Sequence, residues 1–254
     1  MFKAMIPNAK YLLDLIKAIN IVSEEACFKI SPDAITLNAI DPAHIALVDF
    51  KLMSGVAEEW VLDDHDQLKM EVSVSEMLRI LGRIKSGEVI TIAYNPEEKR
   101  VRFVLDDAVG SRRRTIYLNT LEELEHRDFK PKVDFQARAT LATSGLREAV
   151  EDCRLISDIL KLTIGSEAVE VSAKGERGKA LVRLPKYGGL IHEIEADQEI
   201  SSYYSIGFLA KMLKAGMLLN ESVAVELATD KPLRLGFEIP CGRLEYYLAP
   251  NYRS

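Results

Sequence analysis

The chain has 254 residues, 48% hydrophobic and 28% charged, a size and balance that suit one large or two medium globular domains and exclude disorder. It holds no run of about 18 apolar residues to span a bilayer, and its N-terminus lacks a signal peptide's charged-then-apolar layout, so an intracellular protein is expected. A net charge of −6, taken as a sum, argues against a nucleic-acid partner, because phosphate binding is supplied by Lys and Arg.

Residues 1–7 alternate as a short strand, and Asn8 stands where it can cap a helix over 9–21, with Leu12, Leu15, Ile16 and Ile19 on one side. Strands are predicted over 26–30, 34–39 and 45–51, divided by the turn signals Ser31-Pro32-Asp33 and Asp41-Pro42. The pattern then repeats with a strand over 69–72, a helix from Ser75 through Ile84, and strands near 89–94, 101–105 and 113–118. From Leu118 to Pro131 the composition turns to Glu, Asp and Lys, interrupted by Leu121, Leu124 and Phe129. Such a stretch reads as a linker, whose apolar residues either tack a surface strap down or form one wall of a docking groove. The expected domains are 1–118 and 132–254, joined by 119–131.

Beyond the linker the same grammar resumes. An offset of 134 residues lays Val22-Ser23-Glu24 on Ile156-Ser157-Asp158 and Ala34-Ile35-Thr36-Leu37 on Ala168-Val169-Glu170-Val171. The same offset sets Leu12, Ile16 and Ile19 on Leu146, Val150 and Cys153, which keeps a buried helix face in register. Ser73-Val74 matches Ser205-Ile206, each just ahead of a short amphipathic helix. Four short helices among many strands predict an α+β fold of two similar domains, antiparallel sheets with two helices each. Cys27, Cys153 and Cys241 are odd in number and lie in apolar patterns, so they read as small core residues, neither a disulfide framework nor a metal cluster.

Opposite the apolar stripes the helices present Lys10, Asp14 and Lys17; Glu76, Arg79 and Arg83; Arg147, Glu148, Glu151 and Arg154; and Lys211 and Lys214. Eight bases against four acids give +4, which leaves −10 for the rest of a chain of net −6. Lys and Arg also solvate ordinary helical faces, but four such helices in succession describe a surface that attracts a polyanion through its phosphates, without sequence information.

Enzyme-like features are few. Asp63-Asp64-His65-Asp66 has the donors of a cation site and is the centre of the alternative reading, a metal-dependent hydrolase, although neighbouring residues point in different directions and no second cluster completes the site. Gly175-Glu176-Arg177-Gly178-Lys179-Ala180 lacks phosphate-loop spacing and reads as a hairpin turn. Asp41 and His44 could form an acid–base pair but no nucleophile accompanies them, and His126 and His192 sit in polar stretches. No catalytic residue, metal or cofactor is expected.

The run Leu37-Asn38-Ala39-Ile40-Asp41-Pro42-Ala43-His44-Ile45-Ala46-Leu47-Val48, with Lys231-Pro232-Leu233 and the late Tyr246-Tyr247-Leu248-Ala249-Pro250, resembles the proliferating cell nuclear antigen family of DNA sliding clamps. The resemblance spans nearly the whole chain and is closer to archaeal than to eukaryotic members. It implies a trimeric ring whose helices line a hole for duplex DNA, so that Lys10, Lys17, Arg79, Arg83, Arg147, Arg154, Lys211 and Lys214 would face the phosphates. Carried over by position, a groove for short apolar and aromatic partner peptides would use Ile40, His44, Ile45, Leu47, Phe129, Pro131, Pro232, Tyr247, Ala249 and Pro250. Edge strands would close the ring, with Arg113, Ile116 and Tyr117 of one subunit beside Lys179, Leu181 and Arg183 of the next. The expected role is a processivity factor in replication and repair, not an enzyme, tethering DNA polymerase, clamp loader, flap endonuclease and DNA ligase. Homotrimers and heterotrimers with paralogues are both compatible. The protein would be cytoplasmic and nucleoid-associated in an archaeal cell, nuclear in a eukaryotic one.

Overall fold

In the computed structural model, which describes residues 1–63, 66–107, 109–122, 129–176 and 178–251, the chain runs strand, helix, five strands, helix, three strands, and then repeats that order. It divides into two units: Met1–Ile40, Val48–Phe129 and Ile239–Arg243 form unit one, and Asp41–Leu47, Lys130–Glu238 and Leu244–Ser254 form unit two.

The first repeat consists of β1 (Phe2–Ile6), α1 (Ala9–Asn20), β2 (Glu25–Ile30), β3 (Ala34–Ile40), β4 (Ala46–Met53), β5 (Glu59–Leu62), β6 (Leu68–Ser73), α2 (Val74–Leu81), β7 (Val89–Asn95), β8 (Arg100–Asp106) and β9 (Arg113–Asn119). Its strands are ordered β5-β1-β7-β8-β9 and β4-β3-β2-β6. Asn8 caps α1 by accepting from the Tyr11 amide at 3.1 Å, and Ser73 caps α2 by accepting from the Glu76 amide at 3.2 Å. The α1 face of Leu12, Leu15, Ile16 and Ile19 is buried as the 3.6-residue period requires. Each such side chain contributes about 1.5–3 kcal/mol by leaving water.

The second repeat consists of β10 (Ala137–Ala142), α3 (Thr143–Arg154), β11 (Ile159–Ile164), β12 (Ala168–Gly175), β13 (Gly178–Pro185), β14 (Ile191–Ala196), β15 (Ile200–Ser205), α4 (Ile206–Gly216), β16 (Ser222–Leu227), β17 (Leu233–Ile239) and β18 (Gly242–Leu248). Here the orders are β13-β12-β11-β15 and β14-β10-β16-β17-β18. In both units the two helices pack on each other. Neither α3 nor α4 has a side-chain cap; the first amide of each donates to a loop carbonyl instead, Thr143 to Glu221 at 2.7 Å and Ile206 to Asp158 at 2.9 Å. The equivalents in unit one are Ala9 to Glu88 at 3.1 Å and Val74 to Glu24 at 2.8 Å. The internal similarity therefore extends to the way each helix start is tied to the unit.

The α+β expectation holds, with four α-helices among the described residues, two in each unit. Three local expectations do not. The four-residue β5, none of it buried, went unpredicted because it lacks alternation; it is held by pairing with β1 and by the edge-on contact of Trp60 with Phe2 at 5.2 Å. Helix α2 stops at Leu81, before the expected Ile84: the Gly82 amide still bonds to the Leu78 carbonyl, but the amides of Arg83 and Ile84 bond only three residues back, to Ile80 at 3.4 Å and Leu81 at 2.9 Å, so the last turn tightens and the α-helical ladder ends. Cys241 is exposed, since it occupies the tight turn between β17 and β18 with φ of 58°. The Gly175–Gly178 segment is a hairpin turn as expected, with those two glycines in register; Arg177 lies outside the described residues.

Candidate functional site

The outward faces of the helices carry the bases. Lys10, Arg79, Arg154, Lys211 and Lys214 are exposed and Lys17 and Arg147 are half-buried, while Arg83, expected on α2, is exposed in the turn just past its end. Asp14, expected on the same face, is buried at 7% exposure and accepts from both Lys10 and Lys17, so it neutralises part of the α1 charge. Glu151 likewise meets Arg154 at 3.5 Å. Lys17, Arg79, Arg154 and Lys214 each lie in the last turn of a helix, where the macrodipole favours a cation. That local reason does not cover Lys10, Arg83, Arg147 or Lys211. The buried Nε of Arg147 has no hydrogen-bond partner among the described residues.

A second surface forms around residues 41–47. The buried Asp41 carboxylate accepts from the amides of Ala43 at 3.0 Å, Ile45 at 2.6 Å and Ala46 at 2.5 Å, and the Asp41 carbonyl accepts from the His44 amide at 2.9 Å. His44 takes the left-handed conformation, φ 57°, which a short polar turn of this kind permits. Asp41 is therefore a structural cap, with its lone pairs committed to backbone, and not an acid–base partner for His44. The turn holds Ile45 outward at 38% exposure, and the Ile45 carbonyl accepts from the Ala249 amide at 2.8 Å, which draws the C-terminal segment alongside. Asn251 is tied in turn to the Tyr203 carbonyl at 2.7 Å.

Of the expected groove residues, His44, Ile45, Leu47, Pro131, Pro232, Tyr247, Ala249 and Pro250 belong to unit two; Ile40 and Phe129 belong to unit one. Leu47 and Tyr247 are buried, at 3% and 4% exposure, so they can act only as a floor, whereas Ile45 and His44 stand out and Pro131, Pro232, Ala249 and Pro250 are half-buried. Phe129 is 54% exposed and its amide donates to Asn38 Oδ1 at 3.1 Å. Leu121 is half-buried and its amide donates to the Glu71 carbonyl at 2.8 Å; Leu124 and His126 lie outside the described residues.

Strands β9 and β13 are each outermost in their sheets. On β9, Arg113 pairs with Asp106 at 2.7 Å, Ile116 is half-buried, and the exposed Tyr117 ring lies under Arg100 at 4.8 Å. On β13, Lys179 and Leu181 are exposed and Arg183 meets Glu170 at 2.6 Å. Arg114 is held by the buried Glu88 of its own unit. Of the acidic-His stretch, Asp63 and Asp66 are exposed, while Asp64 and His65 lie outside the described residues. No group of three metal-capable side chains occurs among the described residues.

Sequence reasoning missed a chain of ion pairs in unit two. Arg138 and Arg234 both bind Glu226, Arg234 also binds Glu245 at 2.7 Å, and Glu245 binds Lys130 at 3.0 Å. Glu226 and Glu245 are 1% and 4% exposed. A carboxylate inside the apolar run Ala224-Val225-Glu226-Leu227 was the available signal, because a buried charge must find a partner.

Residues 1–126 match the family description "Proliferating cell nuclear antigen, N-terminal domain", and residues 130–251 match "Proliferating cell nuclear antigen, C-terminal domain". The chain is 30% identical over 245 residues to DNA polymerase sliding clamp 1 of Pyrobaculum aerophilum, covering 96% of each. It is 28% identical over 262 residues to the DNA polymerase sliding clamp of Thermofilum pendens, covering 99% of each. Its fold superposes on the crystal structure of PCNA from Thermococcus kodakaraensis with a TM-score of 0.91 at 19% identity, covering 99% of this chain and all of that one. With both halves matched in order, the chain belongs to the proliferating cell nuclear antigen family.

Proposed function

We propose that this chain is a DNA sliding clamp that encircles duplex DNA and tethers DNA polymerase as a processivity factor. The observation that carries the reading is the family match across both halves of the chain, in relatives named DNA polymerase sliding clamps. Exposed bases on all four helices of a net acidic protein support it, because a topological link lets single phosphate contacts stay weak enough for sliding. In this reading the domains are 1–118 and 132–254 with the connecting segment 119–131 between them. Subunits close head to tail into a trimer through β9 and β13, each outermost in its sheet among the described residues. The surface around Ile45, Pro232, Ala249 and Pro250 takes an apolar and aromatic peptide, the means by which polymerase, clamp loader, flap endonuclease and ligase would dock. The protein works without catalytic groups of its own, beside the chromosome.

The deciding experiment loads the protein onto a nicked circular duplex and then linearises it. A clamp stays on the circle in high salt and slides off once an end is made. Equal release from both forms would leave an ordinary electrostatic DNA binder.

A further inference from the structure

Glu245 faces inward on β18 and is buried, yet both of its oxygens are engaged. Oε1 accepts from Arg234 Nη2 at 2.7 Å; Oε2 accepts both from Lys130 Nζ at 3.0 Å and from the Tyr247 hydroxyl at 3.0 Å. Lys130 and Pro131 are the last residues of the connecting segment, and Tyr247 is in the floor of the proposed peptide surface. One carboxylate oxygen thus joins the end of the connecting segment to that floor. An exposed Lys–Glu pair would contribute little, but here the carboxylate side chain is 6% exposed and only the lysine, at 50%, reaches solvent. Burial alone would push the Glu245 carboxyl up. Hydrogen bonds from Arg234 and Lys130, with the charge of Arg234, outweigh it and hold the group at about 2, so the tether is ionised at any physiological pH.

We infer that Glu245 and Lys130 are positioning residues for peptide docking: by holding Lys130 and Tyr247 on one oxygen, Glu245 fixes the end of the connecting segment before the partner arrives. The inference rests on the reading of this surface as a peptide site. Its physical content is preorganisation, since a segment already fixed loses less conformational freedom on binding. Neither residue is required to touch the peptide.

The test uses the full chain and a synthetic peptide carrying a Gln and two adjacent aromatic residues, titrated calorimetrically. Lys130→Met keeps the aliphatic length and removes the ammonium; Lys130→Arg restores the charge; Arg138→Met breaks the far end of the same ion-pair chain, at Glu226. The expected result is about three- to tenfold weaker binding for Lys130→Met in a protein that is still folded but melts somewhat lower, recovery of both in Lys130→Arg, and wild-type affinity in Arg138→Met. In the peptide-free protein, amide exchange across residues 129–133 rises in Lys130→Met alone. Wild-type affinity or unchanged exchange in Lys130→Met overturns the positioning role, as does equal weakening by Arg138→Met. A wild-type chain that does not bind the peptide overturns the peptide surface itself, and this inference with it.

Discussion

Asp41 and Glu245 show how a buried carboxylate becomes structural: one is satisfied by three backbone amides, the other by Arg234, Lys130 and Tyr247. For Glu245 the pH dependence follows. Its folded value lies near 2, below the ordinary 4.5, so its ionised form stabilises the fold above that ordinary value, and the contribution disappears as pH falls from about 4.5 toward 2. The stability difference between the wild type and Glu245→Gln, measured by urea unfolding, should therefore shrink between neutral pH and about pH 3; a constant difference would contradict the assignment. Ile45 is the cleanest side chain for testing the peptide surface, because it is exposed while Tyr247 is buried. Ile45→Ala should cost about 1–4 kcal/mol of peptide affinity with little change in melting temperature. Tyr247→Ala should lose affinity and fold stability together, and unaltered affinity in a folded Tyr247→Ala protein would place the docking surface elsewhere.

At the scale of elements, helix α4 closes onto its sheet because Gly216 presents no side chain to Phe237; an added Cβ would stand 2.1 Å from the ring. Phe237 is 1% exposed and has no room to yield, so Gly216→Ala should destabilise unit two by about 1–3 kcal/mol in chemical denaturation. The helical bases are expected to act as a set. Replacing Lys10, Lys17, Arg79, Arg83, Lys211 and Lys214 with Ala should weaken retention on DNA and flatten its salt dependence without changing base preference, since phosphates carry no sequence. Six comparable substitutions on exposed strand faces are the control, and an equal loss there would remove the helices from the account. Lys10 and Lys17 share Asp14, so either alone should have a smaller effect than both.

At the scale of the whole molecule, β9 and β13 are each outermost in their sheets and carry exposed apolar side chains that include Tyr117 and Leu181. Native mass spectrometry of the purified chain should give three times 28.5 kDa; a monomer at tens of micromolar would favour a ring shared with paralogues. The sequence by itself determined the α+β class, the repeated order of elements, the α1 cap at Asn8 and the apolar helix faces, because each is set by local periodicity or by a residue's own hydrogen-bonding. It also carried the family, in the 37–48 run and the late Tyr-Leu-Ala-Pro. Only the tertiary structure decided which polar residues are buried and what satisfies them. Asp14 and Glu245 look like any surface acid in a one-dimensional pattern, Glu226 shows its burial there but not its partners, and residues as far apart as Lys130 and Glu245 meet only through strand pairing and packing. The same is true of β5, which is too short to announce itself and exists because β1 supplies its hydrogen bonds.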